Sequence, residues 1–439
     1  MQPKKYDVAI IGAGVVGSAI LYTLSKYTNV KDIVLIEKYE SPGLVNSEKN
    51  HNSQTLHFGD IETNYTLEKA ASVKEGAEMV KSYVEKTRYK KSLFLKTQKM
   101  VLGVGEAEVA ELEKRHEEFK TLFTNFRKVG REELAKIEPK VVEGRDPKEP
   151  ILGLLSDDGY AIDYGELACS FVDEAKKANQ NIETFFNKKV KKITKNGATY
   201  SIQMEGETIE ANVIVVASGG HSLYFAQMLG YGKKYGVLPI AGNFFRSTHK
   251  LLNGKVYTLQ KKKLPFAAIH GDPHVGSAKE TRFGPTAKFL PILEKGKYSS
   301  FWDFLQTSVF SFAGIISLIK ILTDGIIFRY ILRNFMYDLP FIGKRLFIKE
   351  IQKIVPTIKL GDMEFKKSAG GMRPQIVNTE TKKMEMGEAK IIGKNAIFNI
   401  TPSPGATTCL KNAKKDTAKI VEMLGKEYNF DEASFKKDL

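Results

Sequence analysis

Cysteine is scarce: the 439 residues include only Cys169 and Cys409, and no Cys-x-x-Cys pair occurs. That excludes a disulfide scaffold, a cysteine zinc site and a redox dithiol, and it fits a reducing compartment. No secretory leader is expected, because the apolar run in MQPKKYDVAIIGAG is only a few residues long and ends in a glycine motif. A predominantly apolar stretch of the ~20 residues that a spanning helix needs is also missing. The uncharged run at 304–319 contains Gln306, Thr307 and three serines, and Lys320 ends it. Neither an internal repeat nor a low-complexity segment is found. Acidic residues are the minority charge: 51 Asp and Glu stand against 67 Lys and Arg, a net +16. This balance suits an anionic partner such as an acidic membrane surface or a small polyanion. The lysines are spread along the chain, and nucleic acid is not expected. What is present, 42% hydrophobic and 27% charged residues, is ordinary for a folded chain with a large core, and the length exceeds one typical domain.

The first informative pattern is a short β-branched run at 6–11 followed at once by Gly12-Ala13-Gly14-Val15-Val16-Gly17. Helical spacing follows through Ile20, Leu21 and Leu24, and a second strand at 32–36 ends in Glu37. This is the strand, glycine turn, helix and strand of a dinucleotide-binding unit. Gly12 is needed for turn geometry, Gly14 lets a pyrophosphate approach the main chain, and Gly17 lets the helix pack on the strand. The helix N-terminus offers amides and a positive dipole end to phosphate. Glu37 lies where a carboxylate accepts ribose hydroxyls.

Further along, charged helices are predicted at 67–88 and 106–120, a short strand at 151–155 and a helix at 164–177. Strands at 183–186, 190–194, 198–204 and 208–217 form a predicted meander inserted in the α/β unit. The buried strand at 213–217 ends in the small residues Ala217, Ser218 and Gly219, which favours FAD over NAD. Residues 237–290 read as β-rich, 299–355 as helical and apolar on one side, 364–400 as strands, and 407–426 as a last helix.

Four places carry candidate chemistry. Asn52-Ser53-Gln54-Thr55-Leu56-His57 is a polar loop expected at the carboxyl ends of the sheet, with His57 a candidate acid/base. His270 ends the apolar stretch at 265–269, beside the turn Gly271-Asp272-Pro273, and is the preferred proton acceptor; nearby His274 ranks lower. Arg373, in Gly370-Gly371-Met372-Arg373-Pro374, is a candidate bidentate carboxylate clamp. Thr401 to Thr408 opens the last helix and offers a second anion site toward a reduced flavin. His51, His57, His270 and His274 do not form a metal-binding spacing, and no metal is expected.

Together these motifs resemble the malate:quinone oxidoreductase family, within the wider FAD-dependent amino-acid and hydroxy-acid oxidase group. The resemblance covers nearly the full length. It is carried by Asn52-Ser53-Gln54-Thr55-Leu56-His57, by Glu62-Thr63-Asn64-Tyr65-Thr66, by Gly284-Pro285-Thr286-Ala287 and by Ser403-Pro404-Gly405-Ala406-Thr407. The loop Asn50-His51-Asn52-Ser53-Gln54 departs from the commoner, longer members and shares features with L-2-hydroxyglutarate dehydrogenases.

The resemblance implies an α/β fold of glutathione-reductase type. A discontinuous Rossmann-like FAD-binding domain (1–90, 150–236, 357–439) carries a mixed-sheet α+β substrate domain (91–149, 237–356). It also implies oxidation of L-malate in the tricarboxylic acid cycle, by hydride transfer to flavin N5 and on to a membrane quinone. His270 is the implied base, His57 its rival or helper, and Arg373 the clamp. Implied cofactor contacts are Gly12, Gly14, Gly17, Glu37, Lys38, Asn52, Ser53, Gln54, Val190, Ala217, Ser218, Gly219, Gly371, Ser403, Gly405, Ala406 and Thr407. The apolar tract at 301–345, with Lys320, Arg329, Arg333, Lys344 and Arg345, suits either peripheral attachment to an anionic membrane or packing on the chain's own core. The expected place is the cytoplasm, on the inner membrane face. L-2-hydroxyglutarate or lactate dehydrogenase, an oxygen-using amino-acid oxidase and a non-catalytic flavin module stay open as alternatives.

Overall fold

The structure is a computed structural model that describes residues 3–260, 264, 268–364, 370–385 and 388–439. The apolar stretch read at 265–269 therefore lies largely outside the described residues.

The strand Lys4–Ile11 stands at the centre of an eight-stranded sheet, between Ile33–Ile36 and Glu207–Val216, and pairs parallel with both. Glu183–Phe185 and Ala396–Ile400 extend this parallel core on its two sides. Its near-continuous Val and Ile content follows from burial on both faces. The helices Val15–Tyr27, Tyr164–Ala178 and Cys409–Leu424 share a core with one face. Asp163 caps the second of these by accepting from the amides of Gly165 and Glu166, as an N-cap carboxylate does. The expected meander is present: Val190–Asn196 and Thr199–Met204 pair antiparallel, and the second pairs antiparallel with Glu207–Val216.

A second eight-stranded sheet runs from Met363–Glu364 through Phe245–Ser247, Ser277–Gly284, His270–His274, Lys255–Thr258 and Phe94–Val104 to Ile151–Ile162 and Phe126–Val129. Two strands here differ from expectation. Ile151–Ile162 has 12 residues rather than five and pairs along its length with Phe94–Val104. Residues 151–162, expected in the first domain, thus belong to the second sheet. Phe94–Val104 was not foreseen, because its lysines break the apolar alternation. Yet Lys99 is fully buried, 3.0 Å from the buried carboxylate of Asp60. A four-stranded sheet pairs Tyr235–Ala241 with Met372–Asn378 and so places Arg373 opposite Ile240.

Residues 300–351 form a run of short helices. Ser311 and Asp324 cap Phe312–Leu322 and Gly325–Met336. The inward residues Leu318, Ile321, Ile327 and Ile331 join the core beneath Val237 and Ile376. The outward ones do not: Trp302 is 64%, Phe310 67%, Phe312 80% and Phe341 87% exposed. Packing and exposure thus occupy opposite faces of one segment. Among the described residues no single helix is long and apolar enough to cross a membrane, although Ser300–Val309 and Phe312–Leu322 form one apolar pair bent by 98°.

Candidate active site

The three glycines of the turn have separate jobs. Gly12 sits at φ +103°, and a Cβ there would lie 2.6 Å from the Ala217 carbonyl oxygen. A Cβ on Gly17 would lie 1.9 Å from the Gly12 oxygen, so only glycine lets helix and turn touch. Gly14 is different: an added Cβ would meet only the Ser47 hydroxyl at 3.5 Å and otherwise face a cavity. Glu37 accepts from the Ala13 amide at 2.8 Å and the Tyr39 amide at 3.1 Å. Burial pushes its pKa up, against these two bonds. The Val15 amide is taken by Ser47 at 3.0 Å, so not every amide of the helix start is free. Lys38 also lines the cavity, and its ammonium pairs with Glu294, which accepts from the Tyr39 hydroxyl as well.

The polar loop after the second strand is built from its own side chains. The Asn52 amide donates to the carbonyls of Asn46, Ser47 and Glu48 at 2.9–3.1 Å. Gln54 holds a left-handed backbone at φ 57°. Its side chain donates to the Lys49 carbonyl at 2.9 Å and accepts from the Val275 amide at 3.0 Å. Gln54 therefore staples the loop to the second sheet and is not on the cavity wall, a correction to its expected cofactor contact. Arg282, buried, reaches the carbonyls of Lys49, Asn52 and Ser53 at 3.2–3.4 Å and the Asp272 carboxylate at 2.9 Å. Lys255 closes this buried group, 3.0 Å from Asp272.

The two histidines part company here. His57 lines the cavity. Its Nδ1 is hydrogen-bonded to the buried carboxylate of Glu62, and its amide donates to the Thr407 hydroxyl at 3.1 Å. His270 is fully buried behind the wall, stacked on Tyr257 at 4.2 Å and edge-on to the cavity residue Phe244 at 5.8 Å. Its Nδ1 lies 3.2 Å from the Ala268 carbonyl and its Nε2 has no hydrogen-bond partner among the described residues. Burial pushes its pKa down to about 3, so it is neutral across the physiological range. The preference for His270 is thus corrected: geometry gives the cavity to His57. His274 is buried too, and its Nε2 meets Asn50 Oδ1 at 3.2 Å.

Arg373 lines the same cavity. Burial lowers its pKa, and the phenols of Tyr330 and Tyr257 are the groups that act on it in return. No carboxylate among the described residues pairs with it. A half-buried guanidinium without a carboxylate partner, facing a cavity, favours an anionic ligand.

The helix expected to be the last is followed by a further one, Glu432–Asp438, and the loop before the former also differs from expectation. The helix begins at Cys409 rather than 407. The amides of Gly405, Thr407 and Thr408 already donate to the carbonyls of Pro402 and Pro404 at 2.8–3.2 Å. The anion site expected there is correspondingly reduced.

These parts converge on one cavity of ≈ 540 Å³. It collects Gly12, Gly14, Glu37, Lys38, Asn52, Ser53, His57, Val190, Ala217, Ser218, Gly219, Gly371, Arg373, Ser403, Gly405, Ala406 and Thr407. Sequence reasoning missed Phe244, Tyr164, Glu294 and the His221–Asp303 pair, also on its wall. Tyr164 carries a signal in hindsight: it is a polar aromatic at the start of a helix, and its hydroxyl donates to the Thr55 carbonyl at 2.9 Å.

Comparison with known proteins agrees with this architecture. Residues 4–415 match the family model described as malate:quinone oxidoreductase. The chain is 39% identical over 444 residues to a probable malate:quinone oxidoreductase of Campylobacter jejuni, covering 99% of each chain. It is also 39% identical over 448 residues to the malate:quinone oxidoreductase of Helicobacter pylori, covering 99% of this chain and 98% of that one. Among solved structures, the L-α-glycerophosphate oxidase of Mycoplasma pneumoniae with FAD bound superposes with a TM-score of 0.68 at 18% identity, covering 96% of each chain.

Proposed function

Because this chain belongs to the malate:quinone oxidoreductase family, we propose that it oxidises L-malate to oxaloacetate and delivers the electrons to a membrane quinone, as a step of the tricarboxylic acid cycle. The observation that carries this reading is that His57 and Arg373, which pairs with no carboxylate among the described residues, both line the cavity that the glycine turn opens into.

The chain fits FAD as its cofactor. Gly12 and Gly17 are closed by backbone contacts, whereas the Gly14 face is open toward the cavity, which is where a pyrophosphate must approach. Glu37 stands at the end of the second strand for a ribose, and Ala217, Ser218 and Gly219 line the cavity beside the glycine turn. Bound FAD supplies a hydride acceptor, its N5. Arg373 holds a carboxylate of the substrate through its planar fork. His57, with Nδ1 engaged by Glu62, offers Nε2 to the 2-hydroxyl and takes its proton. His270 packs the wall behind Phe244 and takes no proton.

The clamp has a specific consequence. Arg373→Lys replaces a bidentate fork with a point charge, and the malate concentration for half-maximal flavin reduction rises about tenfold or more. An unchanged concentration removes Arg373 from the clamp role.

The outward apolar residues of 300–351 support peripheral attachment to an anionic membrane. Trp302, Phe310, Phe312 and Phe341 stand on the exposed face, and Arg329, Arg333, Lys344 and Arg345 lie in the same segment. Such a face inserts at the headgroup boundary and is held by both apolar burial and charge. The protein pellets with vesicles containing anionic phospholipid at low salt, and Phe312→Asp combined with Phe341→Asp weakens this. Wild-type protein left in the supernatant counts against the attachment.

The deciding experiment is anaerobic mixing of the purified protein with L-malate while the flavin absorbance is followed. Bleaching that a soluble quinone analogue reverses is the expected result. A flavin band that L-malate leaves intact but L-2-hydroxyglutarate or L-lactate bleaches moves the substrate assignment. A colourless protein that does not take up FAD overturns the reading.

A further inference from the structure

Resting on the reading of His57 as the base, we propose that Glu62 is its positioning residue. The buried carboxylate fixes the proton on Nδ1, leaves the Nε2 lone pair for the substrate hydroxyl, and stabilises the imidazolium that forms. In that step the O–H bond breaks, its electron pair stays on oxygen, and the proton moves to Nε2. A neutral imidazole donates from one nitrogen and accepts at the other, and the partner of the first decides the second.

The geometry supports this in three ways. The Nδ1 of His57 bonds directly to Glu62 Oε1, and the two side chains are 13% and 6% exposed. The other carboxylate oxygen, Oε2, is buried without a hydrogen-bond partner among the described residues. Little but the imidazole is there to share the charge by hydrogen bonding. The segment carrying Glu62 is clamped independently of the histidine: Arg115, stacked on Phe119 at 3.8 Å, donates to the carbonyls of Glu62 at 2.6 Å, Gly59 at 3.3 Å and Thr63 at 3.4 Å. The Thr407 hydroxyl holds the His57 backbone from the other side. Both members of the pair are thus fixed by separate elements.

The titratable and charged groups that face the pair are Asp60 and Tyr65 from its own segment, Lys99 from Phe94–Val104, Arg115 from Glu106–Phe119, and Tyr257 from Lys255–Thr258. Burial on its own raises the carboxyl pKa of Glu62. His57 foremost, then Lys99 and Arg115, outweigh it and hold the group below the ordinary carboxylate value. Glu62 is therefore an anion at neutral pH, as an acceptor for Nδ1–H must be.

Two readouts test the role. In the FAD-loaded protein, Glu62→Gln and Glu62→Ala retain the flavin absorbance but lower its limiting rate of reduction by L-malate about 10²–10⁴-fold. The half-saturating malate concentration changes little. Independently of turnover, ¹⁵N spectra of histidine-labelled protein show wild-type His57, identified by its loss in His57→Ala, as the Nδ1-protonated neutral form. In Glu62→Gln that form is no longer fixed. A carboxylate that merely staples its loop leaves the tautomer where it is. An Nε2-protonated wild-type His57, or a reduction rate unchanged in Glu62→Gln, overturns the proposal. Failure of L-malate to bleach wild-type flavin refutes the substrate reading instead, and the tautomer measurement still decides the role of Glu62.

Discussion

Replacing His57 by alanine lowers the rate at which L-malate reduces the bound flavin by about 10²–10⁴, the range associated with a positioned general base. The flavin itself stays bound, because the cradle is built by the glycine turn, the Ala217–Gly219 wall and the loop before Cys409–Leu424, whose cavity-lining residues are distinct from the imidazole. The backbone of residue 57 keeps its bond to Thr407, since its amide and not its ring makes that contact. The loss therefore falls on the limiting rate more than on the half-saturating concentration, which Arg373 governs. Rapid-reaction spectroscopy of the flavin band under anaerobic conditions measures both. A wild-type rate in His57→Ala, with the loss found instead in His270→Ala, would return the base to His270. It would then mean that the wall formed by Phe244 opens when substrate binds.

Gly14→Val gives a folded protein that does not retain FAD. This outcome is specific to one glycine of the three. Valine at Gly12 or Gly17 puts a carbon 2.6 Å or 1.9 Å from backbone oxygen, so those changes damage the strand–helix junction and lower stability with or without cofactor. At Gly14 the nearest atom to a new Cβ is the Ser47 hydroxyl at 3.5 Å, an ordinary contact. The branched side chain then occupies only the space that a pyrophosphate needs beside the helix N-terminus. The purified variant shows a cooperative unfolding transition like that of apoprotein and no visible flavin band after incubation with FAD. A yellow Gly14→Val, fully loaded, places the pyrophosphate elsewhere. An unfolded one shows that the turn is less tolerant than its surroundings indicate.

The parts of the site that were legible are those in which neighbouring residues carry the instruction. The glycine spacing, the acidic end of the second strand and the small residues at 217–219 each express a backbone need within a few positions. The structure meets each with a close contact or a cavity-lining position. Gln54 misled because a polar side chain in a ligand-facing loop reads as a contact, whereas its amide bridges Lys49 in its own loop to the turn at Val275. Lys99 misled in the opposite sense. Charge inside a strand argues against burial until the partner is known, and Asp60 supplies it.

From the sequence alone follow the parallel dinucleotide unit, the meander, the cofactor class and the amphipathic run at 300–351, because strand alternation, helical period and turn chemistry are local properties of the chain. Tertiary structure alone decided which histidine reaches the cavity, which carboxylate stands behind it, and which face of the apolar helices is left uncovered. His57 and Arg373 lie far apart in the chain and line one cavity only in the folded protein, and His270 is withdrawn behind packing against Tyr257 and Phe244. Such contacts depend on long-range packing that no local pattern encodes.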